Sequence, residues 1–165
     1  MSSHHPFDPE TLIRVLAKHD VRYVLIGALA ARLQGFPRLT ADADITPDGE
    51  QENLERLASA LHELDAKVFT ESVPEGLPFD WTANGLARAE TWNLITSAGR
   101  LDLMFRPAGT EGYYDLVRDS VDYEVFGVDL KSASLEDIIR SKQASDRPQD
   151  RQDVAVMREM IRRGH

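Results

Sequence analysis

The chain has 165 residues, a net charge of −9 and no cysteine. This length fits one domain with a hydrophobic core of its own. The absence of cysteine excludes disulfides, thiolate metal sites and cysteine nucleophiles. The sequence has no apolar run as long as a membrane span, and its N-terminus lacks the basic and apolar regions of a signal peptide. We therefore expect a cytoplasmic protein that makes no membrane contact.

Charge is unevenly distributed along the chain. Residues 131–165 contain eight Lys and Arg residues against six Asp and Glu residues, whereas the preceding part is acidic. An acidic protein is not a general nucleic-acid binder, but this basic region could contact a phosphate-rich partner. A solvated helical face explains the same charges without any partner.

Hydrophobic periodicity, N-cap residues and breakers predict a series of short helices and strands. Asp8 before Pro9 is typical of a helix start, and Ser134 with Asp137 three residues later is typical of a capping box. The predicted helices cover residues 9–19, 28–33, 50–64, 83–89, 113–120, a segment that begins after the Ser134 cap, and 148–162. The predicted strands cover residues 21–26, 43–47, 67–70, 91–96, 100–105, 123–126 and 128–132.

The order of these elements lacks the regular strand–helix–strand alternation of a parallel sheet. We therefore predict an α/β (α+β) sandwich in which helices pack on a mixed β-sheet. No repeat or linker divides the chain, so we expect a single domain over residues 1–165. Residues 1–133 would form the sheet-containing core, and residues 134–165 would add C-terminal helices packed on it.

Two aspartates flank Ala43 at the start of a predicted strand. Alternate side chains of a strand point to the same face, so Asp42 and Asp44 would lie side by side. Two unpaired carboxylates repel each other and raise each other's pKa, and a divalent cation removes that cost. Two carboxylates together with substrate phosphates are a usual set of Mg²⁺ ligands. The pattern predicts a metal site, with a polar turn before a strand as the alternative.

A phosphate-binding turn is predicted just before this pair. The apolar strand ends at Gly27 and enters a helix, which leaves backbone N–H groups free at a positive helix end. Gly27 and Ala28 are small enough to let a phosphate approach the backbone. Arg38, in the loop that follows, could face the same phosphate. A plain strand-to-helix turn and a surface arginine are the alternatives.

Asp102 is the candidate for a third carboxylate. It interrupts an apolar strand and shares its face with Arg100 and Met104, opposite Leu101 and Leu103. A carboxylate in a central strand is costly unless it is paired or bound to a metal. If the strand lay at the edge of the sheet, water could reach the carboxylate and the cost would disappear.

Two charged residues follow apolar helix faces near the C-terminus. Lys142 lies seven residues after Leu135 on the stripe of Ile138 and Ile139, so it either snorkels from the core or reaches a triphosphate. Asp150 shares an inward face with Val154. A carboxylate favoured by the helix dipole is the alternative explanation for Asp150.

Taken together, these residues resemble the nucleotidyltransferase superfamily, which has the polymerase-beta-like fold. The glycine turn, the loop Arg and Thr, and the Asp-x-Asp strand follow in the family order. The chain looks most like the AbiEii-type and related minimal members, many of which are toxins of toxin–antitoxin pairs. The motifs that carry the resemblance are Ile26-Gly27-Ala28, Gly35-Phe36-Pro37-Arg38-Leu39-Thr40, Asp42-Ala43-Asp44-Ile45, Gly99-Arg100-Leu101-Asp102, and Ser134 through Lys142, Arg147 and Asp150.

Ala28 departs from the family pattern. The family usually has Gly or Ser at this position. A serine hydroxyl that could bond a phosphate is therefore missing, whereas the backbone N–H remains.

The resemblance implies a metal-dependent enzyme that transfers NMP from an NTP to an acceptor hydroxyl. Mg²⁺ or Mn²⁺ would be the cofactor and the NTP a substrate. Asp42, Asp44 and Asp102 would be the catalytic and metal-binding residues, with Asp102 either holding the acceptor-side metal or acting as the base. The implied nucleotide-binding residues are Gly27, Ala28, Arg38, Thr40, Lys142 and Asp150.

Three hypotheses for the acceptor and the activity stay open. A toxin would act on tRNA, on another RNA or on a protein, and would have a cognate antitoxin as partner. The same chemistry could instead modify a small molecule such as an aminoglycoside. A catalytically inert domain that binds a nucleotide or a partner is the third hypothesis. The three carboxylates argue against the inert domain, and the net charge of −9 argues against a large RNA.

Overall fold

The computed structural model describes residues 6–164, within which seven helices and seven strands lie. The helices are α1 (Pro9–Lys18), α2 (Gly27–Leu33), α3 (Gln51–Glu63), α4 (Ala83–Leu86), α5 (Tyr113–Arg118), α6 (Leu135–Ser145) and α7 (Pro148–Arg162). The strands are β1 (Tyr23–Ile26), β2 (Asp42–Pro47), β3 (Lys67–Val68), β4 (Thr91–Thr96), β5 (Gly99–Met104), β6 (Val121–Val125) and β7 (Val128–Ser132). None of the helices in this range has the length and apolar character needed to cross a membrane.

Every predicted element exists, and the largest differences are in length. Strand β3 has two residues and helix α4 has four, so both are shorter than predicted. Strand β2 begins at Asp42 rather than Ala43, and α2 begins at Gly27 rather than Ala28. The prediction that Asp8 caps α1 is confirmed, because its side chain accepts a hydrogen bond from the Thr11 N–H at 3.1 Å.

The described strands form one sheet in the order β3-β4-β5-β2-β1-β7-β6. Strand β2 is parallel to β5 and antiparallel to β1, and β1 is parallel to β7. The prediction of a mixed sheet with helices is therefore confirmed. Because β5 lies between β4 and β2, Asp102 is not on an edge strand, and that explanation for its carboxylate is wrong.

The two faces of β5 differ sharply in burial. Leu101 and Leu103 are fully buried in the same hydrophobic core as Leu57 and Leu61 of α3. Burying such a leucine stabilises the fold by roughly 1.5–3 kcal/mol. A register slip of one residue would move Asp102 into this core. Leucine burial on one face therefore holds the polar side chains on the other.

The two C-terminal helices pack on each other and on the core. Met157 is fully buried in the main core cluster, which also contains Val154. Ser134 caps α6 by accepting a hydrogen bond from the Asp137 N–H at 3.1 Å. The predicted capping-box role of Asp137 is wrong, because its Oδ1 lies 3.1 Å from Arg140 Nη2 and forms an ion pair there.

Candidate active site

The register of β2 against β5 brings the three predicted carboxylates together. Asp42 is the partner of Arg100, and Asp44 is the partner of Asp102. Ala43 between the two aspartates is buried on the opposite face. The prediction that Asp42 and Asp44 share a face is confirmed, and Asp102 joins them from the neighbouring strand.

These carboxylates strongly affect one another's ionisation. Burial, followed by the negative charges of Asp42 and Asp102, raises the pKa of Asp44 to about 7. Burial also raises the pKa of Asp102, although Arg100 opposes the shift with Nη2 at 3.0 Å from Asp102 Oδ1. The close approach of the Asp44 and Asp102 side chains contributes to both shifts. The cluster is therefore an electrostatic cost to the protein in the absence of an added positive charge.

Gly27 lies directly against this cluster. Strand β1 ends at Ile26, the partner of Asp44, and the chain then turns through Gly27 with a φ of +70°. A Cβ atom at Gly27 would overlap Asp44 Oδ2. Glycine is needed here both for its left-handed backbone and for the space that the carboxylate occupies.

A cavity of about 270 Å³ opens beside Asp44, between the end of β1 and helix α6. Five of the predicted site residues line it, whereas Asp42, Asp102, Arg38 and Thr40 lie outside its walls. The five residues are Gly27, Ala28, Asp44, Lys142 and Asp150. Of the three carboxylates, Asp44 thus belongs to the cavity wall, and Asp42 and Asp102 lie beyond it.

The cavity wall carries both cations and carboxylates. Lys142 and Arg147 line it together with Asp44 and Asp150. Asp137, nearer the start of α6, also lines it, and its Oδ2 has no hydrogen-bond partner within residues 6–164. Burial raises the Asp137 pKa. The cavity therefore offers two cations and a buried acceptor, and the sequence did not predict that Asp137 or Arg147 would line a cavity.

Arg38 and Lys142 meet at a residue that the sequence analysis missed. Arg38 forms an ion pair with Asp153, and Lys142 Nζ lies 3.0 Å from Asp153 Oδ2 and 3.6 Å from Asp150 Oδ1. Asp153 is 3% exposed. Its position three residues after Asp150, which places both on one helix face, was the signal that could have identified it.

The contacts of Asp150 are those of a helix cap. Its Oδ2 accepts hydrogen bonds from Ser145 Oγ at 2.8 Å, from the Arg147 N–H at 3.1 Å and from Arg147 Nε at 2.9 Å. Arg147 is the main reason that the pKa of Asp150 is well below its usual range. These contacts give Asp150 a structural role at the start of α7, and its role in nucleotide binding stays a prediction.

Thr40 contacts the carboxylate strand rather than the cavity. Its Oγ1 donates a hydrogen bond to the Asp42 carbonyl at 2.8 Å. This bond holds the end of the loop against the first residue of β2. The predicted role of Thr40 in nucleotide binding stays a prediction.

The donor set suits a divalent cation, although the side chains would have to reorient. Within residues 6–164, no three His, Asp or Glu side chains are arranged to hold a metal ion as they stand. The ion pair with Arg100 engages an oxygen of Asp102 that a metal would need. Carboxylate oxygens are nevertheless the ligands that Mg²⁺ prefers. Burial and then the neighbouring negative charges raise the pKa of Asp44, and a cation would relieve both costs, so the residue types fit.

The sequence matches no protein-family model and no curated protein. The fold is similar to that of solved nucleotidyltransferases. The structure of the lincosamide antibiotic adenylyltransferase LnuA bound to lincomycin is similar with a TM-score of 0.60 and 15% identity, over 94% of this chain and 99% of that one. The chain has a nucleotidyltransferase fold.

Two further structures share this fold. A predicted nucleotidyltransferase from Thermotoga maritima has a TM-score of 0.50 and 23% identity, over 99% of both chains. The solution structure of the antibiotic-resistance factor ANT(2'')-Ia has a TM-score of 0.51 and 17% identity, over 93% of this chain and 89% of that one. These neighbours confirm the expected nucleotidyltransferase fold, and the narrower AbiEii-type resemblance stays a prediction.

Proposed function

We propose that this chain transfers a nucleotidyl group from an NTP to a hydroxyl of an acceptor. The observation that carries the proposal is the meeting of Asp42, Asp44 and Asp102 on one sheet face, against Gly27 and the cavity. The nucleotidyltransferase fold supports the same chemistry by analogy.

In the proposed reaction, the acceptor oxygen attacks the α-phosphorus of the NTP. A new P–O bond forms while the bond from the α-phosphorus to the bridging oxygen breaks, and pyrophosphate leaves. The hydroxyl proton passes to Asp102, whose raised pKa makes it a better base than an ordinary aspartate. In-line displacement needs positioning and charge neutralisation rather than a protein nucleophile.

Asp42 and Asp44, with Asp102 on the acceptor side, would hold Mg²⁺ or Mn²⁺. A bound divalent cation would supply the positive charge that offsets the phosphates. Arg100 keeps Asp102 in place through its ion pair, and its guanidinium stacks 3.8 Å from the centre of the Phe69 ring.

The cations of the cavity wall suit the triphosphate. Gly27 and Ala28 would offer backbone N–H groups, and Lys142 would reach the same phosphates from α6. The remaining length of the cavity, with apolar walls and Asp137, would accept the nucleoside. This arrangement leaves Asp102, which lies outside the cavity, facing the acceptor.

A small hydroxyl-bearing molecule is the acceptor that the observations favour. LnuA and ANT(2'')-Ia are associated with antibiotics, and the net charge of −9 disfavours a large RNA. An RNA or protein acceptor, with a toxin role and a cognate antitoxin, stays an alternative hypothesis. The cytoplasmic location expected from the sequence stays a prediction.

The test is transfer of an α-labelled nucleotide. The purified protein is incubated with Mg²⁺ and each of the four NTPs, in turn with a panel of lincosamides and aminoglycosides, total RNA, and a protein lysate. We expect a labelled product and pyrophosphate release, both abolished by Asp44→Asn. Asp129→Asn, an exposed aspartate of β7, is the matched control and should behave as wild type.

Each outcome decides between hypotheses. Equal labelling by wild type and Asp44→Asn would overturn the assignment of the carboxylates. Binding of NTP without any product would support the inert nucleotide-binding domain instead. Labelling of RNA but of no small molecule would favour the toxin hypothesis.

A further inference from the structure

Asp153 lies where the loop between α2 and β2 meets helices α6 and α7. The residue is 3% exposed, and both of its carboxylate oxygens accept hydrogen bonds. Oδ1 pairs with Arg38 and accepts from Gln149 Nε2 at 3.1 Å, and Oδ2 accepts from Lys142 Nζ at 3.0 Å. A buried carboxylate with three donors from three parts of the chain is not a solvated surface charge.

The two cations on Asp153 come from different elements. Arg38 lies in the loop between α2 and β2, and Lys142 lies on α6 and lines the cavity. Because they bond the two oxygens of one carboxylate, their charged groups are held a few ångströms apart. Two cations would not stay this close without the negative charge between them.

Both cations retain unused donors. Arg38 pairs with Asp153 through Nη2, and no acceptor within residues 6–164 faces its Nε or Nη1. Lys142 has three N–H donors, one of which bonds Asp153. The Arg38 side chain is 40% exposed, so its free N–H groups can reach a ligand. Asp153 therefore holds Arg38 and Lys142 in place and leaves each of them with N–H donors for a ligand.

Three cations cluster in this part of an acidic protein. Arg38, Lys142 and Arg147 carry three positive charges, and their ion-pair partners Asp150 and Asp153 carry two negative ones. This concentration of cations stands in a protein of net charge −9. Asp150, followed by Asp153 and Asp44, raises the Arg147 pKa, so the Asp44 carboxylate also lies near this group.

We propose that Asp153 is a positioning residue that holds Arg38 and Lys142 together as a two-pronged site for the β- and γ-phosphates of the NTP. The inference rests on the proposed function and adds a residue that contacts no substrate. Without Asp153, the two cations would separate and Arg38 would leave the site with its loop. The phosphates beyond the α-position would then lose both partners.

The test compares nucleotides that differ only in phosphate number. Binding of the NTP and of its NMP to the full chain is measured by calorimetry with Mg²⁺, for wild type, Asp153→Asn and Asp153→Glu. We expect Asp153→Asn to weaken NTP binding at least tenfold, or about 1.4 kcal/mol, and to leave NMP binding unchanged. Asp153→Glu should recover part of the NTP affinity. Asp146→Asn, an exposed aspartate at the α6–α7 junction, should match wild type for both ligands.

A second variant guards against a folding defect in Asp153→Asn. Arg38→Gln alters an exposed loop side chain and should weaken NTP binding in the same phosphate-dependent way. The double variant should lose little more than either single variant, because both changes remove one coupled unit. Equal losses for NTP and NMP, or additive losses in the double variant, would overturn the positioning role. If wild type itself binds no NTP, the proposed function fails, and the role of Asp153 fails with it.

Discussion

Gly27 is the residue on which the geometry of the carboxylates most depends. Gly27→Ala would place a Cβ against Asp44 Oδ2 and would also strain the backbone at a φ of +70°. We expect a loss of about 2 kcal/mol in the free energy of unfolding. Gly49→Ala, where a Cβ would meet nothing within 4 Å, is the matched control and should change it by less than about 0.5 kcal/mol.

Urea denaturation of the two glycine variants measures this difference. Equal stability of Gly27→Ala and Gly49→Ala would mean that Asp44 moves aside at little cost. In that case Gly27 would be needed for ligand access rather than for folding, and nucleotide binding by Gly27→Ala would become the informative measurement.

Asp44 makes stability depend on pH in a definite direction. Its pKa is about 7 in the folded protein against a reference value of 3.8, so between these values the native state binds more protons than the unfolded state. The stabilisation is fully present below pH 3.8 and is lost as pH rises through about 7. Without metal, we expect wild type to lose about 2–3 kcal/mol from pH 5 to pH 8 through this group.

Asp44→Asn should lack this part of the pH dependence, since its amide does not titrate in that range. The measurement is urea denaturation in EDTA at pH 5 and pH 8, with Asp129→Asn as a control that follows wild type. Parallel stability profiles for wild type and Asp44→Asn would show that the Asp44 carboxyl is not desolvated as described.

At the scale of elements, the turn between α6 and α7 depends on one buried carboxylate. Asp150 is 1% exposed and bonds Ser145 and Arg147 on either side of the turn. Asp150→Asn keeps the shape of the side chain but removes its charge. We expect the free energy of unfolding to fall by about 2 kcal/mol. Asp146→Asn changes an exposed partner of Arg151 in the same turn and should lower the free energy of unfolding far less, because water screens an exposed ion pair.

Thermal and urea denaturation of both variants would check this prediction. The asparagine variants suit the comparison because Asp146 has a φ of +50°, a conformation that asparagine also tolerates. If Asp150→Asn and Asp146→Asn lower the free energy of unfolding equally, the buried contacts of Asp150 are no stronger than the exposed contacts of Asp146.

Local signals account for most of what the sequence predicted. The alternation around Ala43 placed Asp42 and Asp44 on one face, and the caps at Asp8 and Ser134 located two helix starts, because these patterns act over a few residues. The ion pair of Arg38 with Asp153 spans 115 positions and had no local signature. The sequence also could not show that Asp102 would lie beside Asp44, because that contact depends on which strands are neighbours in the sheet.

At the scale of the whole molecule, one hydrophobic core joins the sheet to the C-terminal helices. Ile138 and Met157 from the C-terminal helices belong to the same buried cluster as Leu94 and Leu101 of the sheet. Trp81 and Trp92 lie far from α6 and α7 along the chain and pack edge to face with ring centroids 5.4 Å apart, so their fluorescence reports on the β4 side. Far-UV circular dichroism reports on all the helices together.

Because the core is continuous, we expect the chain to unfold as one cooperative unit, in line with the prediction of a single domain. The urea transitions followed by tryptophan fluorescence and by circular dichroism should have the same midpoint and slope. A dichroism signal lost at lower urea than the fluorescence signal would mean that residues 134–165 unfold first. Since Lys142 and Asp153 both lie in that segment, such a protein would lose its proposed triphosphate contacts while the sheet and its three carboxylates remained folded.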